Sequence, residues 1–154
     1  MEEVHIRPAV ETDIKAISHL MIELTEKYIT FELADDVKGK LLASLSVDSL
    51  MEAFNKHWDY FVATIHNQIV GVIGMKDVSH LLHLFVMEAF QGKNIANQLW
   101  QVAKNNALTL CPLTCFTVNS AISAQAVYKK WGFRAIDGVR TRNGFSDVPM
   151  KLYL

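Results

Sequence analysis

The stretch from Leu81 to Val118 limits the fold most. Leu81 to Val86 is an apolar run of strand length, and Gln91-Gly92-Lys93 breaks it. Ile95, Ala96, Leu99, Val102 and Ala103 then recur on one helical face, and Leu113 to Val118 is a second apolar run. This is a strand, a helix and a strand in succession, the unit that joins parallel neighbours in a sheet. Elsewhere the chain asks for antiparallel pairing. Tyr60 to Ile65 and Ile69 to Met75 flank His66-Asn67-Gln68 at hairpin spacing, and Asn143-Gly144 divides two further strands that end at Leu154. A sheet that satisfies both demands is mixed and mostly antiparallel.

The remaining segments supply its cover. Val4-His5-Ile6-Arg7-Pro8 reads as a short strand stopped by proline, and Thr12 precedes Ile14, Ile17, Leu20, Met21, Leu24 and Tyr28 at helical spacing. Leu41, Leu42 and Leu45, then Leu50, Met51, Phe54 and Trp58, read as two short helices, the second with Ser46 as its N-cap. Ala124, Val127, Tyr128 and Trp131 mark a last helix ended by Gly132. The expected architecture is one α/β domain over residues 1–154, with helices on both faces of the sheet. A chain of this length buries about 70% of its unfolded surface, enough for one core.

Composition narrows the function. Fifteen Lys and Arg against sixteen Asp and Glu give no positive field for nucleic acid or anionic lipid. No apolar run approaches the roughly 20 residues that cross a bilayer, and Met1-Glu2-Glu3 opens without a signal-peptide pattern, so a cytoplasmic protein is expected. Cys111 and Cys115 read as packing thiols, and Trp100 and Trp131 as packing residues of helices. His80-x-x-His83 and Cys111-x-x-x-Cys115 carry zinc-type ligands, but on regular strands the two histidines face opposite sides, so no metal is expected.

An anion site is the chemistry that the Leu81–Ala103 region can offer. Helix N-termini present unpaired N–H groups backed by about half a positive charge, Gly92 has no Cβ to obstruct a phosphate, and Lys93 adds a cation. The same residues also suit a plain helix start with a solvated lysine. The pattern is neither a Walker loop nor a Gly-x-Gly-x-x-Gly dinucleotide loop.

Gln91-Gly92-Lys93-Asn94-Ile95-Ala96, after Leu84-Phe85-Val86, resembles the acyl-CoA-binding motif of the GNAT superfamily, Gln/Arg-x-x-Gly-x-Gly/Ala following a strand that ends in Leu-x-Val. It departs from that motif at Asn94, where the family usually has glycine; asparagine keeps the backbone N–H and tolerates left-handed backbone. Val118-Asn119 at a strand end, followed by Tyr128 and Gly132-Phe133, resembles the family's second signature, at the family's spacing. The resemblance covers essentially the whole chain.

It implies a GNAT-like fold and an N-acetyltransferase that carries acetyl from acetyl-CoA to a primary amine of a small molecule or protein, by direct attack in a ternary complex. The alternative is an acyl-CoA-binding module without turnover. By the same resemblance, Leu84, Phe85 and Val86 would hold pantetheine on a splayed or bulged strand. Gln91, Gly92, Lys93, Asn94, Ile95 and Ala96 would hold the diphosphate, Asn119 would bind coenzyme or water, and Tyr128 would protonate the leaving thiolate. The amine's proton needs a base: His83 is preferred, with His80 and Glu32 as the competing candidates. No nucleic acid, membrane or metal is expected as a partner, and homodimers are common in the family. The acceptor amine is not legible.

Overall fold

A computed structural model describes residues 3–28, 33–142 and 144–154. Its elements run β1 (His5–Pro8), α1 (Ile14–Tyr28), α2 (Asp35–Ser44), α3 (Val47–Asn55), β2 (Asp59–Ile65), β3 (Gln68–Lys76) and β4 (His80–Val86). They continue with α4 (Ile95–Leu110), β5 (Cys115–Ala121), α5 (Gln125–Lys130), β6 (Arg134–Ala135), β7 (Arg140–Arg142) and β8 (Phe145–Tyr153). The strands form one sheet in the order β1-β2-β3-β4-β5-β8-β6, with β7 also on β8. Every pairing is antiparallel except β4 with β5.

Local chemistry explains the starts and turns. Arg7 grips both carboxylate oxygens of Asp13 at 2.7 and 2.9 Å, and Asp13 also accepts the Val10 N–H at 2.8 Å, which fixes the corner from β1 into α1. Ser46 caps α3 as expected, its hydroxyl accepting the Ser49 N–H at 3.2 Å. The β2–β3 hairpin turns on His66 and Asn67 with φ of 51° and 64°, both left-handed, so it takes the primed geometry without the favoured Asn-Gly pair. Asn143 lies outside the described residues.

The sheet separates two cores. On one face Ile14, Ile17, Met21 and Leu50 pack against Tyr60, Val62 and Val72; on the other Leu99, Trp100 and Ala103 pack against Phe61, Ile73, Met75, Phe116 and Phe133. Trp100 and Trp131 stack at 5.7 Å and 11°, in keeping with a packing role. The expected last strand of the crossover unit, Leu113 to Val118, is shifted. β5 starts at Cys115 and runs to Ala121, because the chain leaving α4 at Leu110 uses the four residues Cys111 to Thr114 to re-enter the sheet. The two-residue β6 was not anticipated.

Two irregularities open the middle of the sheet. The β4–β5 ladder consists of His80 opposite Thr117 and Leu81 opposite Val118, after which the strands part. Gly74 pairs with His83 but Met75 with Leu81, so Leu82 is an extra residue that bulges out of β4. This overturns the expected opposite facing of His80 and His83. Their partners Lys76 and Gly74 are two apart on β3, so the bulge brings both histidines to the α1–α3 face.

Candidate active site

Beyond Leu81, β4 has no neighbour on its β5 side, so alternate backbone N–H and C=O groups there point into the gap. On the α4 face of this gap lies a cavity of about 330 Å³. Leu84 and Val86 form its strand wall, Gln91, Gly92, Asn94, Ile95 and Ala96 its loop and helix start, and Val127 and Tyr128 its far side. Eight of the residues proposed from sequence thus share one cavity: Leu84, Val86, Gln91, Gly92, Asn94, Ile95, Ala96 and Tyr128.

The loop is shaped by left-handed backbone. Gly92 has φ of 77° and Asn94 φ of 66°, with Lys93 between them. Asn94 therefore occupies the conformation that glycine would take with less strain. A Cβ built on Gly92 would meet nothing within 4 Å, so the space beside it is open. Ile95, Ala96 and Asn97 begin α4, and the Asn94 side chain caps none of their N–H groups, so these remain available to an anion. Gln91 turns back instead, donating from Nε2 to the Val86 carbonyl at 2.9 Å and tying the loop to the end of β4. Lys93 does not line the cavity; its ammonium lies 5.3 Å from the centre of the Phe90 ring. A second, more open cavity of about 670 Å³ shares Gly92, Asn94, Ala96 and Val127 with the first and adds Lys104 and Lys130.

Tyr128 is 8% exposed and fixed by edge-to-face contacts with Trp131 at 5.7 Å and Phe133 at 5.8 Å. Burial pushes its hydroxyl up to about 12, so it stays protonated at neutral pH.

Besides Lys93, three more of the proposed site residues, Phe85, Asn119 and His83, stand outside this cavity. Phe85 points to the opposite face, 6.2 Å ring to ring from His83. Asn119 is exposed on that face too, and its Oδ1 accepts from Arg140 at 3.0 Å. His83 lines a separate cavity of about 270 Å³ with Tyr60, Leu82, Trp58 and residues of α3. Its Nδ1 lies 2.9 Å from the Tyr60 hydroxyl, and burial lowers its pKa to about 4, leaving the ring neutral. His80 is held by Thr117 at 2.7 Å, at the closed end of the gap. Glu32 lies outside the described residues.

Sequence reasoning missed Tyr60. It reads as one more apolar strand residue, and its signal was distant: Gly74, its partner on β3, where a Cβ would come within 2.3 Å of the Tyr60 ring.

Among the described residues no group of three or more His, Cys, Asp or Glu side chains is placed to hold a metal, and no helix is long and apolar enough to cross a membrane.

An open mixed sheet, a parting of its central strands and a helix start aimed into the gap define an acetyltransferase fold of the GNAT type. The acetyltransferase (GNAT) domain family matches residues 32–154, and the chain belongs to that family. A GCN5-related N-acetyltransferase from Rhodopseudomonas palustris superposes with a TM-score of 0.80 at 19% identity, covering 100% of this chain and 98% of that one. The PaiA N-acetyltransferase of Thermoplasma acidophilum, solved in complex with coenzyme A, gives a TM-score of 0.80 at 14% identity over 99% of both chains. The ribosomal-protein-S18-alanine N-acetyltransferase of Escherichia coli gives 0.70 at 15% identity, over 98% of this chain and 94% of that one. The sequence has no significant match among curated proteins.

Proposed function

We propose that this protein transfers an acetyl group from acetyl-CoA to a primary amine within a ternary complex. The observation that carries the proposal is the single cavity that joins the unpaired edge of β4, the free N–H groups of α4 and the Tyr128 hydroxyl. Pantetheine would lie along Leu84 and Val86, with its amides taking the backbone groups that β5 leaves unpaired. The diphosphate would meet Gly92, Asn94, Ile95 and Ala96, and the nucleotide end would enter the larger cavity beside Lys104 and Lys130.

The chemistry needs a neutral amine, support for the carbonyl oxygen as it gains charge, and a proton for sulfur. The amine nitrogen bonds to the thioester carbon, the C–S bond breaks with its electron pair on sulfur, and Tyr128 gives that sulfur a proton. Free N–H groups of β4 would stabilise the oxyanion. The amine would approach from the α1–α3 face, where His83 is the candidate to receive its proton. Phe85, Lys93 and Asn119 keep supporting parts in this scheme: Phe85 packs against His83, Lys93 contributes long-range charge, and Asn119 holds the Arg140 side chain.

A panel of amines incubated with acetyl-CoA, with free thiol as the readout, tests this reading. Amine-dependent thiol release is expected. A folded protein that is stabilised by acetyl-CoA yet acetylates no small amine, peptide or protein amine would be an acyl-CoA-binding module.

A further inference from the structure

The cavity on the α1–α3 face holds a hydrogen-bonded pair that the scheme above leaves half used. Tyr60 is 4% exposed, its ring stacked on Phe54 at 5.5 Å, and its hydroxyl lies 2.9 Å from Nδ1 of His83. Gly74 makes this possible, because any side chain there would occupy the space of the Tyr60 ring. Across β2, β3 and β4, Tyr60, Gly74 and His83 stand in one row, and the Leu82 bulge sets His83 in that row.

The direction of the hydrogen bond has a chemical consequence. Among the described residues the phenol has no other acceptor, and a buried O–H without one is costly, so Tyr60 donates and Nδ1 accepts. A neutral imidazole with Nδ1 as acceptor carries its proton on Nε2. The basic nitrogen of His83 is then covered by Tyr60 and does not meet the amine directly.

We propose that the acceptor amine loses its proton through Tyr60, whose hydroxyl relays it to Nδ1 of His83. This rests on the transferase reading given above. As the amine nitrogen bonds to the carbonyl carbon, one of its protons passes to the Tyr60 oxygen while the Tyr60 hydroxyl proton passes to Nδ1. Tyr60 ends neutral and His83 ends as an imidazolium. Sulfur leaves with the C–S electron pair and takes the Tyr128 proton; solvent then removes one proton from His83 and returns one to Tyr128. Amine and thioester become amide and thiol, with no other reactant.

The resting tautomer is read by NMR of ring-labelled histidine, with His83 assigned by its loss in His83→Gln. Nε2–H is expected; Nδ1–H overturns the relay. Tyr60→Phe keeps the ring and deletes the hydroxyl, so kcat should fall about 10²-fold, with the amine KM and acetyl-CoA affinity held within about threefold. His83→Gln can still accept from Tyr60 but cannot take the proton at neutral pH, and it should show the same loss, which guards against a Tyr60 variant that does not fold. Turnover within twofold of wild type in either folded variant overturns the relay and leaves the transferase reading intact. A wild type that releases thiol with no amine overturns both.

Discussion

At the scale of single residues the site depends on where protons sit. Tyr128 is the buried phenol of the α4-side cavity, and on the proposed function Tyr128→Phe should lower kcat by about 10²- to 10⁴-fold while acetyl-CoA affinity stays within a few-fold. Steady-state thiol release beside calorimetric affinity checks this. Asn94 sits in left-handed backbone at φ of 66°, a conformation that costs most L-residues roughly 1–2 kcal/mol and asparagine less. Asn94→Gly should therefore bind acetyl-CoA as well or better, and a calorimetric loss of binding would make the asparagine side chain itself a ligand. His83 gives a pH signature. Burial holds it near 4, against about 6.5 in the unfolded chain, so between those values the unfolded state carries the extra proton. Stability should fall as pH drops through that window, with a slope from this residue of at most ~1.4 kcal/mol per pH unit. His80, also lowered by burial, adds in the same direction. Urea titrations at several pH values should show this slope flattened in His83→Gln.

Elements were legible where a local rule decides them. The Ser46 cap, the hairpin at His66-Asn67 and the end of α5 at Gly132, with φ of 100°, follow from turn and cap chemistry within a few residues. The helix start at Gly92 to Ala96 was legible for the same reason. The bulge was not. Leu81-Leu82-His83-Leu84-Phe85-Val86 has no polar alternation to reveal an extra residue, so the facing of His80 against His83 came out inverted. β6 was missed because two residues carry no period, and its pairing with β8 is a long-range matter. Asn119, which the resemblance would have bind coenzyme or water, lies within β5, where strand parity puts it on the face opposite the α4-side cavity and its Oδ1 accepts from Arg140. Gly74 is the residue on which the central strands lean. Its Cβ would fall 2.3 Å from a Tyr60 ring already confined by Phe54 and His83, so the ring has little room to retreat. Gly74→Ala should cost about 1–3 kcal/mol by overpacking, seen as a lower urea midpoint, and should disturb the His83 ring resonances.

For the molecule as a whole, the brevity of the β4–β5 ladder has a mechanical meaning. One plate, β1 to β4 with α1 to α3, is welded to another, β5 to β8, by two residue pairs and by the aromatic packing of Trp100 on Phe116, Phe133 and Trp131. A seam this short is where a sheet would tear first, since opening there sacrifices few hydrogen bonds while each plate keeps its own. The Thr117 N–H, which donates to the Ser79 carbonyl at 3.0 Å, sits on that seam. A coenzyme held between the α4 start and Tyr128 would act as a clamp across both plates. Hydrogen exchange with saturating acetyl-CoA should therefore slow the Thr117 amide more than amides inside the β2–β3 hairpin. Equal slowing in both places would mean that the two plates open as one body, and that the weld, short as it is, is stronger than the sheet on either side.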